Sequence, residues 1–215
     1  MELSRPVLLV GALFVGVVVG PWLARVAAGL ATREETARPA PLRVAVMTAL
    51  FAGLLVGAVE LTGARPATAA LAWGAGAAVV LGAVDLASHR LPDRVTYPAL
   101  VVCAVAFLAD AVVVGSWGSL VRALTCGAAA FAVAYAAAAV SPEGLGFGDV
   151  KLLGLLGLVL GWFGWGVLLA GVFLGLLTGA AVSVALLATR RAGWRTRLPF
   201  GPPLLVGAVV ALALG

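Results

Sequence analysis

Long apolar runs separated by short polar breaks recur along the whole chain. A helix needs about twenty consecutive apolar residues to cross a bilayer, and most of the runs approach that length. The run at 150–163 is shorter, which is tolerated where a helix is tilted or covered by its neighbours. Eight helices are predicted, at 6–24, 44–62, 67–87, 96–114, 119–140, 150–163, 165–189 and 199–214.

The composition supports a membrane protein. Of the 215 residues, 63% are hydrophobic and 11% are charged, and the mean hydropathy is +1.16. These values lie far outside the range of soluble globular domains. No stretch is left that is long enough for a separate soluble domain. The predicted fold is therefore an all-α, polytopic transmembrane bundle, forming one domain over 1–215 in contact with the lipid bilayer.

The basic residues predict how the helices are oriented. The net charge is +5, but the fourteen lysines and arginines are scattered in short connections, so nucleic-acid binding is not indicated. Successive connections alternate between rich and poor in basic residues, and the rich side is expected to face the cytoplasm. The rich set is Arg25, Arg33, Arg38, Arg43, Arg90, Arg94, Lys151, Arg190, Arg191, Arg195 and Arg197, and the poor set is Arg5, Arg65 and Arg122.

Residues 1–30 also have features of a cleaved signal peptide. Arg5 precedes an apolar stretch, and small residues such as Ala24 and Ala27 follow it. Cleavage there would invert every later connection and place most of the arginines outside the cell. The charge distribution therefore favours a first helix that is retained, with an external amino terminus.

Two of the nine acidic residues need a special explanation. Asp85 follows a continuous apolar run within the last turn of the third predicted helix, and Asp149 directly precedes the sixth. An ionised carboxylate at the bilayer centre costs about 2.5–3.5 kcal/mol, and less toward the interface. Five others are interpreted as solvated residues of the tail, first loop or external helix ends: Glu2, Glu34, Glu35, Glu60 and Asp110.

Each of the two aspartates, taken alone, also fits a structural role. Asp149 suits the positive end of a helix dipole, and Asp85 suits an interfacial salt bridge with Arg90 or Lys151. Two carboxylates at the same predicted membrane face, on different helices, favour a paired site. Asp85 and Asp149 are therefore the candidate pair.

Glycines surround the second aspartate. Gly146 and Gly148 flank Phe147 and are expected to permit a positive φ and the close approach of another strand. The next helix carries Gly154, Gly157 and Gly161, a spacing that lets a neighbouring helix pack tightly.

Three segments resemble those of the type IV prepilin peptidases, which are GxGD aspartyl proteases. Residues 85–93 match the pattern D-x5-[LI]-P-[DN], and 146–151 match G-x-G-D-x-K. The P-F-G-P run at 199–202 resembles the stretch before that family's last helix. The similarity covers about 75–205, which is the expected peptidase core.

The resemblance implies roles for individual residues. Asp85 and Asp149 would be the catalytic pair, and the supporting motif residues would be Pro92, Gly146, Gly148 and Lys151. Asp93 ends the first motif and is expected to be a turn or capping residue. Lys151 is expected either to tune or position the pair or to anchor the helix at the interface.

The resemblance also implies an activity. Such an enzyme removes the short cytoplasmic leader of a prepilin-like precursor, in which a basic leader precedes an apolar helix, and it works in the cytoplasmic membrane of a bacterium or archaeon. Proteolysis would need no cofactor. Many members carry zinc-binding cysteine pairs in the first loop, but 31–42 contains no cysteine, so no metal is expected. S-adenosylmethionine would be required only if the chain also methylates its product.

Other chemistries have less support. His89 is the only histidine, which excludes an HExxH zinc site, and no GxSxG is present. Cys103 and Cys126 lie in apolar runs and are interpreted as small buried hydrophobes. Three alternatives remain: a proton-coupled transporter or channel using the two aspartates as a relay, a presenilin-like intramembrane protease, and a scaffold without activity.

Overall fold

The computed structural model describes residues 4–34, 37–140, 145–190 and 199–215. Within these ranges the chain forms eight α-helices and no strand, so the all-α prediction with eight helices is confirmed. Glu2, Glu35, Arg191, Arg195 and Arg197 fall outside the described residues. The helices are α1 Arg5–Thr32, α2 Pro41–Thr62, α3 Pro66–Ser88, α4 Asp93–Val114, α5 Trp117–Val140, α6 Phe147–Phe163, α7 Trp165–Ala188 and α8 Gly201–Leu214.

Most of the described helices meet the requirements of a membrane span. Six of them, α1 to α5 and α7, are long and apolar enough to cross a bilayer. Helix α8 is a shorter apolar helix, and α6 has 17 residues, at the lower limit for a span. Large apolar side chains such as Val18, Val112 and Phe173 are exposed along these helices. A surface of this kind is stable when lipid covers it.

Helix α1 extends well beyond its predicted end at residue 24. The apolar run ends at Arg25, but arginine is a good helix former and does not end a helix. The continuation is stabilised by packing, because Ala24 and Ala27 are fully buried in a core shared with Phe51 of α2 and Val80 of α3. Hydropathy therefore located the apolar run of α1, whereas the burial of Ala24 and Ala27 explains why the helix continues beyond it.

The described chain divides into two compact units, Met1–Val121 and Arg122–Gly215. In the first unit, α1 and α2 pack through small residues. A Cβ added at Gly16 would lie 2.5 Å from the Ala52 Cα, and one added at Gly20 would lie 2.6 Å from the Thr48 Cα. The hydrophobic effect does not drive helices together in lipid, so they associate through close backbone contact of this kind. The prediction that 1–215 forms a single domain stays a prediction.

Asp110 contradicts its interpretation as a solvated residue. Its side chain is fully buried near the end of α4 and accepts hydrogen bonds from Arg65 Nη2 at 2.6 Å, Arg65 Nε at 3.2 Å, Ser116 Oγ at 2.6 Å and the Ala67 amide at 3.0 Å. Charge-assisted bonds and the amide at the start of α3 compensate for the lost water. Asp110 thus fixes the start of α3 to the end of α4.

In the second unit, the glycines of α6 pack closely against a neighbouring helix, as predicted, and this helix is α5. A Cβ added at Gly157 would lie 2.8 Å from the Ala130 Cβ, and one added at Gly161 would lie 2.3 Å from the Cys126 Cβ. Gly154 faces the Phe131 ring. These contacts fix α6 against α5 along its length.

Arg122 of α5 caps the carboxyl-terminal end of α6. Its Nε donates to the Gly161 carbonyl at 2.9 Å, and its Nη2 donates to the Trp162 carbonyl at 2.5 Å. These carbonyls belong to the last turn of α6, where no intrahelical donor remains for them. A cation is also favourable at this end of the helix dipole. Arg122, predicted only as an external charge, therefore caps the short α6.

Replacement of Asp110 by alanine is expected to destabilise the protein by about 2–4 kcal/mol, because the Ala67 amide and the Arg65 guanidinium lose a buried acceptor. The free energy of unfolding in mixed micelles measures this loss. Glu60→Ala is the matched control, because the Glu60 pair with Arg5 is exposed and its loss should cost less than about 1 kcal/mol. Equal destabilisation by the two substitutions would contradict the role given to Asp110.

Candidate active site

Asp85 lies in the last turn of α3, as predicted, and its side chain is only 5% exposed. Its carbonyl accepts a hydrogen bond from the His89 amide at 2.8 Å, and His89 adopts a left-handed conformation with a φ of 52° that ends the helix. Ser88 Oγ donates to the Val84 carbonyl at 2.9 Å. The carboxyl group of Asp85 is therefore attached to a well-defined helix end rather than to a loose loop.

Arg43 contacts this helix end, which the sequence did not predict. Its half-buried Nη2 on α2 donates to the Ala83 carbonyl at 2.8 Å, two residues before Asp85. A cation is unfavourable at the start of α2 but favourable at the end of α3. One feature of the sequence pointed to a partner for Arg43: it is a cation in the first turn of an apolar helix. Arg43 thus links α2 to the turn of α3 that carries Asp85.

The first motif ends at the start of α4. Pro92 is the residue before the helix, and its carbonyl accepts hydrogen bonds from the amides of Val95 at 3.0 Å and Thr96 at 3.2 Å. Asp93 is the first residue of α4, where its negative charge is favourable to the helix dipole. The cap position of α4 is Pro92, so the prediction that Asp93 is a turn or capping residue stays a prediction.

Asp149 lies in the first turn of α6 and is half-buried. Its amide donates to the Gly146 carbonyl at 3.0 Å. One of its carboxylate oxygens, Oδ2, lies 3.2 Å from the place that a Cβ on Gly146 would occupy. The absence of a side chain at Gly146 therefore leaves room for the Asp149 carboxylate.

The expectation of a positive φ at the motif glycines is wrong. Gly146 has a φ of −70°, and Gly148 is part of α6. Among the glycines in the described ranges, only Gly63 and Gly115 have a φ between +20° and +160°. The helix begins at Phe147, earlier than the predicted start at 150, and a helical residue has a negative φ. Gly146 serves through its missing side chain rather than through an unusual backbone.

Aromatic rings lie beside this aspartate. The Nζ of Lys151 lies 4.7 Å from the centre of the Phe147 ring, which is a cation–π contact. The Tyr135 ring of α5 meets Phe147 edge-on at a centroid distance of 6.4 Å. Neither aromatic residue was predicted to belong to the site, although the spacing of Phe147 and Lys151 by four residues predicts a contact within a helix.

The remaining candidates are structural. Cys103 and Cys126 are both buried and free, as predicted, and Cys103 Sγ donates to the Ala70 carbonyl at 3.3 Å. Across the described ranges, no group of three or more His, Cys, Asp or Glu side chains is placed to hold a metal ion. Asp85 belongs to the first unit and Asp149 to the second, and their pairing stays a prediction.

Comparison with known proteins identifies the family. The model of the type IV leader peptidase family matches residues 72–184, more than half of the chain, and this region includes both Asp85 and Asp149. The chain belongs to the type IV leader peptidase family. The resemblance found in the sequence motifs is therefore confirmed. Family membership and six long apolar helices together indicate a multi-pass membrane protein.

Curated relatives carry the name prepilin leader peptidase/N-methyltransferase. The chain is 33% identical to the Stutzerimonas stutzeri protein over 153 residues, 67% of this chain and 48% of that protein. It is 34% identical to the Burkholderia pseudomallei protein over 172 residues, 75% of this chain and 52% of that one. With the Bacillus subtilis protein the identity is 30% over 137 residues, covering 64% and 52%. The chain thus spans about half the length of these relatives. No solved structure matches it.

Replacement of Arg43 by methionine is expected to loosen the last turn of α3, because the charged hydrogen bond to Ala83 contributes about 1.5–3 kcal/mol. Hydrogen exchange of the backbone amides at 84–88, measured by mass spectrometry, should accelerate. The exposed Arg94 of α4 is the control, and Arg94→Met should leave exchange in this segment unchanged. Equal exchange rates in the two variants would show that Arg43 does not hold this turn.

Proposed function

We propose that the chain is an aspartic endopeptidase of the membrane that removes the leader peptide from prepilin-like precursors. The observation that carries this proposal is the family match over 72–184, which contains both motif aspartates. The names of the curated relatives support the same reaction. Asp85 and Asp149 are the proposed catalytic residues, and each belongs to a terminal turn of its helix.

The chemistry follows from two carboxyl groups that share one proton. When carboxyl groups lie a few ångström apart, repulsion between their charges opposes double ionisation, so they titrate as a coupled pair. The ionised member takes a proton from a water molecule, which attacks the scissile carbonyl. The protonated member donates a hydrogen bond to the carbonyl oxygen and later a proton to the leaving amine. The reaction needs no covalent intermediate and no cofactor.

The positions of the aspartates suit a bond close to the membrane surface. Asp85 lies at the end of α3 that leads into the basic connection containing Arg90 and Arg94, and Asp149 lies two residues before Lys151. The distribution of basic residues supports a cytoplasmic position for both aspartates. The proposed substrate therefore has a basic cytoplasmic leader followed by an apolar helix. The proposed location is the cytoplasmic membrane of a bacterium or archaeon.

The proposal is confined to cleavage. The curated relatives also carry N-methyltransferase in their names, but this chain spans about half their length. Transfer of a methyl group would require S-adenosylmethionine as the donor. Addition of this compound should leave the rate of leader removal unchanged, because hydrolysis by two carboxyl groups does not use it.

Replacement of Asp85 or Asp149 by asparagine is expected to lower cleavage by on the order of 10³-fold or more, because asparagine neither accepts nor donates the required proton. Each variant is co-expressed with a prepilin, and the product is analysed by mass spectrometry. Asp93→Asn is the matched control, since Asp93 belongs to the first turn of α4, and it should cleave nearly as well as the wild type.

The outcome also separates the alternatives. Full cleavage by an Asp85 or Asp149 variant that is inserted normally would remove that residue from the catalytic pair. A product cut within the apolar helix would indicate a presenilin-like protease. Unaltered prepilin, together with proton flux that is lost in both variants, would indicate a transporter.

Replacement of Gly146 by alanine is expected to slow cleavage about tenfold, because the new Cβ would lie 3.2 Å from Asp149 Oδ2 and displace the carboxylate. Gly118→Ala in α5 is the control, since a Cβ there meets no atom within 4 Å. The rate is measured with purified protein and prepilin in detergent. Equal rates in the two variants would show that the space at Gly146 is unimportant.

A further inference from the structure

The last turn of α3 is held by hydrogen bonds to three successive carbonyl groups, those of residues 83–85. Two of the donors, the Ser88 hydroxyl and the His89 amide, belong to the end of α3 itself. The third is Arg43 Nη2 of α2, which lies 2.8 Å from the Ala83 carbonyl oxygen. The first two bonds fix the shape of the turn. Of the three, only the bond from Arg43 fixes the place of the turn relative to a second helix.

Arg43 is carried by a well-anchored helix start. It is the third residue of α2, which begins at Pro41, and the proline ring fixes φ at the first position of the helix. One turn further along, Met47 is buried in the core that α2 shares with α1 and α3. The guanidinium is planar and donates its hydrogen bonds in defined directions. The bond to Ala83 therefore starts from a fixed point on α2.

Apolar packing alone does not provide such a directional constraint. Val84, next to Asp85, is buried in the same core as Leu23 of α1 and Met47 of α2. Apolar contacts are non-directional, and in lipid no hydrophobic effect drives helices together. A charge-assisted hydrogen bond, in contrast, depends on both distance and angle. The bond from Arg43 therefore supplies the directional constraint on this turn.

The carboxyl group of Asp85 depends on this constraint, because Asp85 lies two residues beyond Ala83 on the same turn. A displacement of a reacting group by about 1 Å can lower a rate by about 100-fold. We propose that Arg43 is a positioning residue that holds the turn of Asp85 where its carboxyl group acts in cleavage. This inference rests on the proposed function. Residue 43 lies outside the region 72–184 that the family model matches, and outside the motifs of the resemblance.

The first test separates turnover from substrate binding. Arg43→Met removes the charged donor and keeps an unbranched side chain, and it should lower kcat about tenfold. KM should change by less than about twofold, because the guanidinium is directed at a backbone carbonyl of the protein rather than at the substrate. Arg43→Lys, which can still donate a charged hydrogen bond, should lower kcat by less than about threefold. The exposed Arg94→Met is the control and should keep the wild-type kcat.

Several outcomes of the kinetic test contradict this role. An unchanged kcat in Arg43→Met, or a loss that is seen in KM alone, would overturn the proposal. Equal losses in Arg43→Met and Arg94→Met would do the same, because they would indicate a general effect of positive charge. A kcat in Arg43→Lys as low as that in Arg43→Met would show that the charged donor is not what matters.

A second readout does not depend on activity. Leu42→Cys and Leu86→Cys introduce labelling sites at exposed neighbours of Arg43 and Asp85, in a background without the two native cysteines. The distance distribution between spin labels at these sites, measured by pulsed EPR, should be narrow with Arg43 or with Arg94→Met and broad with Arg43→Met. A distribution that Arg43→Met does not change would overturn the proposal. A wild type that cleaves no prepilin would end the proposed function as well, whereas an active wild type with an unchanged kcat in Arg43→Met would end this inference alone.

Discussion

A polar group without a partner is expensive in a hydrocarbon environment, and this constraint organises the buried polar contacts of the chain. The buried Asp110 collects donors from Arg65, Ser116 and the start of α3. Arg43 and Arg122 direct their guanidinium groups at carbonyls near helix ends. These contacts all lie near helix ends. The two aspartates of the candidate site also lie in terminal turns, Asp85 at the end of α3 and Asp149 at the start of α6.

Small residues determine how closely the helices approach. Lipid is as apolar as leucine, so helices associate through backbone proximity rather than through exclusion of water. The α7–α8 pair is the closest instance, since a Cβ on Gly207 would lie 2.2 Å from the Gly175 nitrogen. The glycines of α6 and the small residues of α5 act in the same way at the second candidate aspartate. The first turn of α6, which carries Asp149, therefore belongs to a helix whose later turns pack closely against α5.

The sequence predicted the helices well, but it did not predict which side chains contact one another. Apolar runs located all eight described helices, because crossing a bilayer imposes a length that hydropathy detects. Asp110 was misjudged because its main partner, Arg65, is 45 positions away in the chain, and hydropathy contains no information on pairing. The end of α1 was misjudged because burial of Ala27, rather than apolarity, extends the helix. Motif spacing makes Asp85 and Asp149 the candidate pair, whereas the contacts of Arg43 and Phe147 depend on three-dimensional packing.

The carboxylate of Asp110 has a mechanical consequence for α3. It bonds to the second residue of this helix, and Asp85 lies eighteen residues further on, a rise of about 27 Å. Because Ala67 is held at the start of α3, a rotation of the helix by about 10° about this residue would move Asp85 by about 5 Å. The bond from Arg43 to the Ala83 carbonyl opposes such a rotation, because it holds the other end of the helix. The position of Asp85 is therefore set by two polar contacts, one at each end of α3.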